Sequence, residues 1–195
     1  MKIRDSGMPN SQTWESFFEP SLVLRRLAFS SGTEDVADLG CGYGTFSIPA
    51  AQRTSGIVHA FDIDREMIEA TDTKARNLGL SNVLTVERDF VAEGTGLLEG
   101  SIGYAMLFNV LHAEDAVGLL RESFRILRAQ RVLGVIHWVH DARTPRGPDL
   151  SIRPRPEQCI KWASEVGFVL EGSPISLPPY HYGLVLRKPG CQHHR

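Results

Sequence analysis

A short apolar run ending in three closely spaced glycines constrains this chain more than any other feature. In Val36-Ala37-Asp38-Leu39-Gly40-Cys41-Gly42-Tyr43-Gly44, strand-forming residues give way to a turn poor in Cβ atoms. Glycine admits positive φ and lets another group approach the backbone. The segment reads as a buried strand, a tight turn and a helix from about Thr45 to Arg53. Such a unit opens a parallel α/β sheet.

The rest of the chain repeats that alternation. Thr13–Phe29 reads as one or two amphipathic helices, interrupted at Pro20. Ile57–Phe61, Val83–Val86, Ile102–Phe108 and Val132–Val139 read as further strands. Asp64 is placed to N-cap a helix whose apolar residues Met67, Ile68, Thr71, Ala75 and Leu78 follow the 3.6 period, and Gly79 ends it. A helix over Ala116–Leu127 carries Val117, Leu120, Phe124 and Leu127 on one side. Another starts at Pro156 and stops at Gly167. Phe168–Leu170 and Tyr182–Arg187 read as closing strands around Pro178–Pro179. The expectation is one α/β domain over residues 31–190, with residues 1–30 as a helical cover.

Bulk properties exclude several classes. At 195 residues the length fits one domain. A net charge of -2 gives no basic face for nucleic acid. The uncharged stretch Ser101–Ala113 is too short to span a bilayer. Three cysteines, Cys41, Cys159 and Cys191, form no CxxC pair, which argues against a disulfide framework or zinc knuckle. The first residues lack the apolar stretch of a signal peptide, so a cytoplasmic location is expected.

The glycine turn carries chemistry as well as shape. Asp62, 22 residues after Gly40, ends the next strand, where a carboxylate accepts both ribose hydroxyls of a nucleoside. A dinucleotide fingerprint requires G-x-G-x-x-G or A, and Thr45 occupies its last position. Asp38, two residues before the first glycine, would repel a pyrophosphate but suits an ammonium group. S-adenosylmethionine (SAM) presents an ammonium, a carboxylate and an adenosine, and each finds a partner here.

With VADLGCGYG followed by AFDID, ERDF and LFNVLH, the chain resembles the class I SAM-dependent methyltransferases, particularly their small-molecule branch, over about residues 29–188. The resemblance implies a Rossmann-like, seven-stranded, mostly parallel sheet with helices on both faces and an antiparallel last strand. It also implies a role for each motif residue. Asp38 lies near the methionine ammonium, and Gly40, Cys41, Gly42 and Tyr43 pack on the methionine moiety. Asp62 takes the ribose hydroxyls, and Ile63 lies against the adenine. Asp89 meets the adenine amino group beside the Phe90 backbone, and Asn109 lies near the methionine end. Two positions depart from the family pattern. Gly103 stands where strand four usually begins with Asp, and Ala129-Gln130-Arg131 replace Pro-Gly-Gly.

Candidate acceptor-side groups are those that strands four and five deliver to the same edge. His112, His137 and His140 are candidate bases, with Tyr180 and His181 from the last turn beside them. A base is needed only if the acceptor must lose a proton. His137 and His140 are three apart on a strand and so fall on opposite faces, which argues against a metal. Trp14, Phe17 and Phe18 suit a lid or ordinary core. Arg143, Arg146, Arg153 and Arg155 suit either a solvated loop or an anionic substrate. The expected function is methyl transfer from SAM to a small-molecule acceptor, without nucleic acid or membrane. The alternatives are a SAM-binding accessory protein without catalysis and an NAD-dependent oxidoreductase.

Overall fold

The computed structural model describes residues 9–190; Cys191 and the tail after it lie outside them. Five parallel strands form the sheet's body: β1 (Val36–Leu39), β2 (Val58–Asp62), β3 (Val83–Glu87), β4 (Ile102–Phe108) and β5 (Leu127–Trp138). Three strands, β6 (Val169–Leu170), β7 (Ile175–Leu177) and β8 (His181–Arg187), close it. The spatial order is β3-β2-β1-β4-β5-β8-β6, with β7 also on β8. Antiparallel β8 pairs with β5, and β6 and β7 pair in turn with the far side of β8. Eight strands therefore fill seven sheet positions, because the last edge is one interrupted strand.

Every residue of β1 and β4 is buried, as expected for strands covered on both faces. One apolar cluster joins Leu107 and Leu133 of the sheet to helices α6 (Ala116–Ile126) and α7 (Pro156–Val166). The opposite cluster takes Val23 and Leu24 of α2 (Pro20–Arg26) and Ala50 and Ala51 of α3 (Ser47–Ala51). Leu24 and Leu27 are fully buried, so α2 is part of the domain core. α1 (Ser11–Glu15) instead sends Trp14 against Trp138, with ring centroids 6.1 Å apart.

Local signals set most helix ends. Asp64 caps α4 (Arg65–Asn77) by accepting the Glu66 N–H at 2.8 Å, and Gly79 follows with φ +67°. Pro156 opens α7 and Gly167 ends it in the left-handed region. Two features differ from expectation. The regular part of α3 starts at Ser47 and has five residues, so its dipole contributes little to the turn before it. A four-residue helix, α5 (Phe90–Glu93), forms where Asp89 caps it through the Ala92 N–H at 3.0 Å.

The two departures from the family pattern meet at the other edge of the sheet. A Cβ on Gly103 would come within 2.4 Å of the Glu34 Cβ, so glycine leaves room for Glu34. The Glu34 carboxylate reaches Arg128 at 3.1 Å and Arg131 at 2.7 Å. Gln130 between them takes the left-handed conformation, φ +65°.

Candidate active site at the carboxyl edge of the sheet

Chain order reverses between β1 and β4, and ligands of open α/β sheets bind in the crevice at such a switch point. A cavity of about 390 Å³ lies there, lined from the ends of β1, β2, β3 and β4 and by Trp14 and Trp138.

The glycine turn is shaped by its neighbours. Gly40 has φ +91°, and a Cβ on it would strike Val110 Cγ1 at 2.6 Å. At Gly44, φ is +71° and a Cβ would meet the Thr71 hydroxyl at 2.9 Å. That hydroxyl donates to the Gly42 carbonyl at 2.8 Å, which ties the turn to α4. The Gly42 N–H donates to Asp62 Oδ2 at 2.9 Å and the Asp64 N–H to Asp62 Oδ1 at 3.0 Å. Asp62 thus braces the loop, while each carboxylate oxygen keeps a further lone pair for a ribose hydroxyl. Its burial raises its pKa.

Asp38 is buried, and Ser47 Oγ donates to its Oδ2 at 2.5 Å. Desolvation pushes its carboxyl up to about 7, against the lowering effect of Ser47. A buried carboxyl of this kind is completed by a cation. Burial likewise pushes the Cys41 thiol up, so it lines the cavity as an apolar group and not as a nucleophile.

The polar lining fits the methionine end of SAM. The Thr45 hydroxyl and both ends of the Asn109 amide are buried without a hydrogen-bond partner in the protein. Asn109 sits at φ +60°, a conformation asparagine tolerates, with its N–H bonded to the Ile136 carbonyl at 2.7 Å. Asp38 beside them offers charge to an ammonium, and Thr45 a donor to a carboxylate. Ile63, Asp89 and Phe90 line the other end, where an adenine would lie.

All ten residues expected at the cofactor, Asp38, Gly40, Cys41, Gly42, Tyr43, Asp62, Ile63, Asp89, Phe90 and Asn109, line this one cavity. The candidate bases divide. His112 lines it; His137 and His140 do not. His137 is fully buried, beside His112 at 5.6 Å between ring centroids and beside Tyr182 at 6.3 Å. Burial, then the neighbouring His112, holds it well below the usual histidine range, so it stays neutral. His140 is half-buried, with Nδ1 3.0 Å from the Arg153 carbonyl. His181 is buried on the other face against Trp138, and desolvation lowers it to about 3.

The loop after β5 does not line the cavity. Arg153 spends its guanidinium on the Pro148 and Val139 carbonyls, and Arg143 pairs with Asp141. Neither waits for an anionic substrate. Among the described residues, no group of three or more His, Cys, Asp and Glu gathers as a metal site, and no helix is long and apolar enough to cross a membrane.

Sequence reasoning passed over Thr45, Phe46, Phe108 and Trp138 as lining. The signal for Trp138 was strand parity. Adjacent residues face opposite sides, and the cavity took the tryptophan instead of the more chemically suggestive His137.

A family model described as a methyltransferase domain matches residues 36–130. The chain is similar to the aklanonic acid methyltransferase DauC of Streptomyces sp. (strain C5), 37% identical over 97 residues. That stretch is 48% of this chain and 43% of the relative, so the match spans less than half of either. A SAM-dependent methyltransferase from Aquifex aeolicus superposes with a TM-score of 0.79 at 21% identity, covering 91% of this chain and 93% of its own. The [4+2]-cyclase SpnF superposes with a TM-score of 0.75 at 17% identity, covering 95% and 84%. This fold therefore hosts more than one reaction, and reaction must be argued from the site. Sheet order, glycine turn, strand-end acids and the domain matched over residues 36–130 make the chain similar to the class I SAM-dependent methyltransferases in fold and in the lining of this site.

Proposed function

We propose that the chain transfers the methyl group of SAM to a small-molecule acceptor. The observation that carries this reading is the single cavity that combines Asp38 and Asp62 with the unpartnered Thr45 hydroxyl and Asn109 amide. When bound, SAM supplies a sulfonium methyl that leaves by in-line displacement. Asp38 holds the ammonium, Thr45 and Asn109 orient the methionine end, and Asp62 fixes the ribose. Held by these residues, SAM would supply its methyl to an acceptor seated in the same cavity, which His112 also lines. Placing a nucleophile within ~3–3.5 Å of the methyl supplies much of the rate. His112 takes the acceptor's proton where one must leave. Trp14 covers this end from α1, so among the described residues 9–30 that one side chain acts as the cover more than α2 does.

Titration calorimetry tests the first step: SAM and its demethylated product, S-adenosylhomocysteine, bind at micromolar levels and NAD does not. NAD binding with no SAM binding would return the chain to the oxidoreductase reading. The second step is tested with His112→Ala. Turnover falls by roughly 10²–10⁴-fold if His112 is the base, while SAM affinity stays within about threefold because the acceptor side alone changes. SAM binding without methyl consumption across a panel of hydroxyl- and amine-bearing acceptors would favour an accessory role.

A further inference from the structure

The two ends of the cavity differ in chemistry. Its charged lining, Asp38, Asp62, Asp64, Arg88 and Asp89, comes from the ends of β1, β2 and β3. Another stretch of the wall is aromatic: Trp14, Phe46, Phe108 and Trp138, with His112 in the same lining. These four side chains are at most 6% exposed, so they are fixed walls and not a mobile rim. They pack in two pairs, Trp14 with Trp138 and Phe46 with Phe108. Phe46 and Phe108 meet at 4.7 Å and 78°, and Trp14 is backed by Phe18 at 4.9 Å and 67°. Such surfaces favour another flat ring over a flexible chain, through offset-stacked and edge-to-face contacts.

Charge narrows the class further. Among the described residues lining the cavity, Arg88 is the one cation, and it lies at the adenosine end. Its Nε donates to the Gly94 carbonyl at 2.7 Å, and its other end pairs with Glu93 at 3.7 Å. The arginines of the 140–155 loop lie outside the lining. Arg153 lies over the Trp138 ring at 5.9 Å but donates to the Val139 and Pro148 carbonyls, so an anionic acceptor would be desolvated against aromatic rings with no cation in the lining at that end. Glu114 lines the cavity from its exposed rim, where water screens its attraction for a cation.

We infer that the acceptor is a flat, uncharged aromatic hydroxyl compound, seated against Trp14 and Trp138 with its hydroxyl toward His112. This rests on the methyl-transfer reading above. The hydroxyl proton passes to a ring nitrogen of His112, and an oxygen electron pair forms the O–CH3 bond. The S–CH3 bond breaks with its pair kept by sulfur. The products are an aryl methyl ether, S-adenosylhomocysteine and an imidazolium, which returns its proton to water. Trp14 is the specificity-determining residue. It comes from α1, which is tied to α4 by Glu15 and Lys74 at 2.5 Å.

The test is calorimetric titration of the full chain, with and without saturating S-adenosylhomocysteine, using three probes: 2-naphthol, geranyl diphosphate and phenyltrimethylammonium. The expected result is saturable binding of 2-naphthol to the loaded protein, at least about tenfold tighter than either charged probe. Trp14→Ala weakens 2-naphthol by about tenfold or more and leaves S-adenosylhomocysteine affinity within about threefold; Trp14→Phe retains most of the binding. Phe108→Leu probes the same wall should Trp14→Ala fail to fold, with the same loss for 2-naphthol expected. The inference is overturned if the loaded protein prefers a charged probe, if 2-naphthol does not saturate, or if the folded wall variants bind it within about twofold of the parent. Failure of S-adenosylhomocysteine itself to bind is separate, and sinks the methyl-transfer reading instead.

Discussion

Asp38 concentrates the physics of the site in one side chain. Its carboxyl lies at about 7 in the folded chain against an ordinary 3.8, chiefly through desolvation. Between those values the native state binds more protons than the unfolded chain. Asp38 therefore subtracts stability as pH rises through that window, and the loss is complete above about 7. A bound ammonium reverses the sign by supplying the missing charge. SAM affinity is accordingly expected to be flat above pH 7 and to fall by up to about tenfold per unit below it. Asp38→Asn keeps a partner for Ser47 and removes the titration. We expect it to weaken SAM at pH 8 by roughly 10- to 150-fold, the worth of a charged hydrogen bond at ~1.5–3 kcal/mol. The variant should also lose the slope below pH 7 and be no less stable than the parent at pH 8. Calorimetry at several pH values decides this, and a variant that binds SAM as the parent does would place the ammonium elsewhere. Asp62 asks for a milder substitution than alanine, because removing its carboxylate also strands the Gly42 and Asp64 N–H groups.

At the scale of elements, the entry to β5 is the weak point. Leu127 pairs with Ile102 and Val132 with Tyr104, so Arg128–Arg131 bulge out between them. The bulge needs a left-handed residue, and Gln130 supplies it at φ +65°. A side chain in that conformation costs ~1–2 kcal/mol, and glycine avoids this while giving back ~0.5–1 in backbone entropy. The nearby ion pairs of Arg128 and Arg131 with Glu34 are part-exposed and contribute little. Gln130→Gly is therefore expected to stabilise by about 0.5–1 kcal/mol and to raise Tm by ~1–4 °C. A melting scan that shows no rise would mean the packing of Gln130 beside Gly190 outweighs the strain.

For the whole molecule, cofactor binding and folding are one equilibrium. The turn, Asp62 and Thr71 join β1, β2 and α4 around the site. A ligand that fits it stabilises the fold by mass action, ~2.7 kcal/mol at a hundredfold excess over its Kd. For a chain of this length that is a Tm rise of about 5–10 °C. SAM and S-adenosylhomocysteine should both produce it, and NAD should leave Tm unchanged. Equal shifts with NAD would contradict the discrimination assigned to Asp38 and Thr45.

Local chemistry made much of this protein legible in its sequence. Asp64, Gly79, Pro156 and Gly167 mark helix ends because capping and backbone freedom act within a few residues. The glycine turn and the acids at Asp38, Asp62 and Asp89 announce a nucleoside site because each lies at or beside the carboxyl end of a strand, and parallel strands bring such ends to one edge. What lies across the sheet was not legible. His137 and Trp138 are neighbours in the chain, yet the pleat sends the histidine toward Tyr182 and leaves the tryptophan on the cavity. The loop arginines look like an anion site until Arg153 is seen holding backbone carbonyls. The interrupted edge strand beside β8 is likewise a matter of pairing partners, not of propensity. Composition and spacing determine which groups reach the edge. Only the packing of β4, β5 and α1 decides which of them face the cavity, because that choice depends on contacts between residues far apart in the chain.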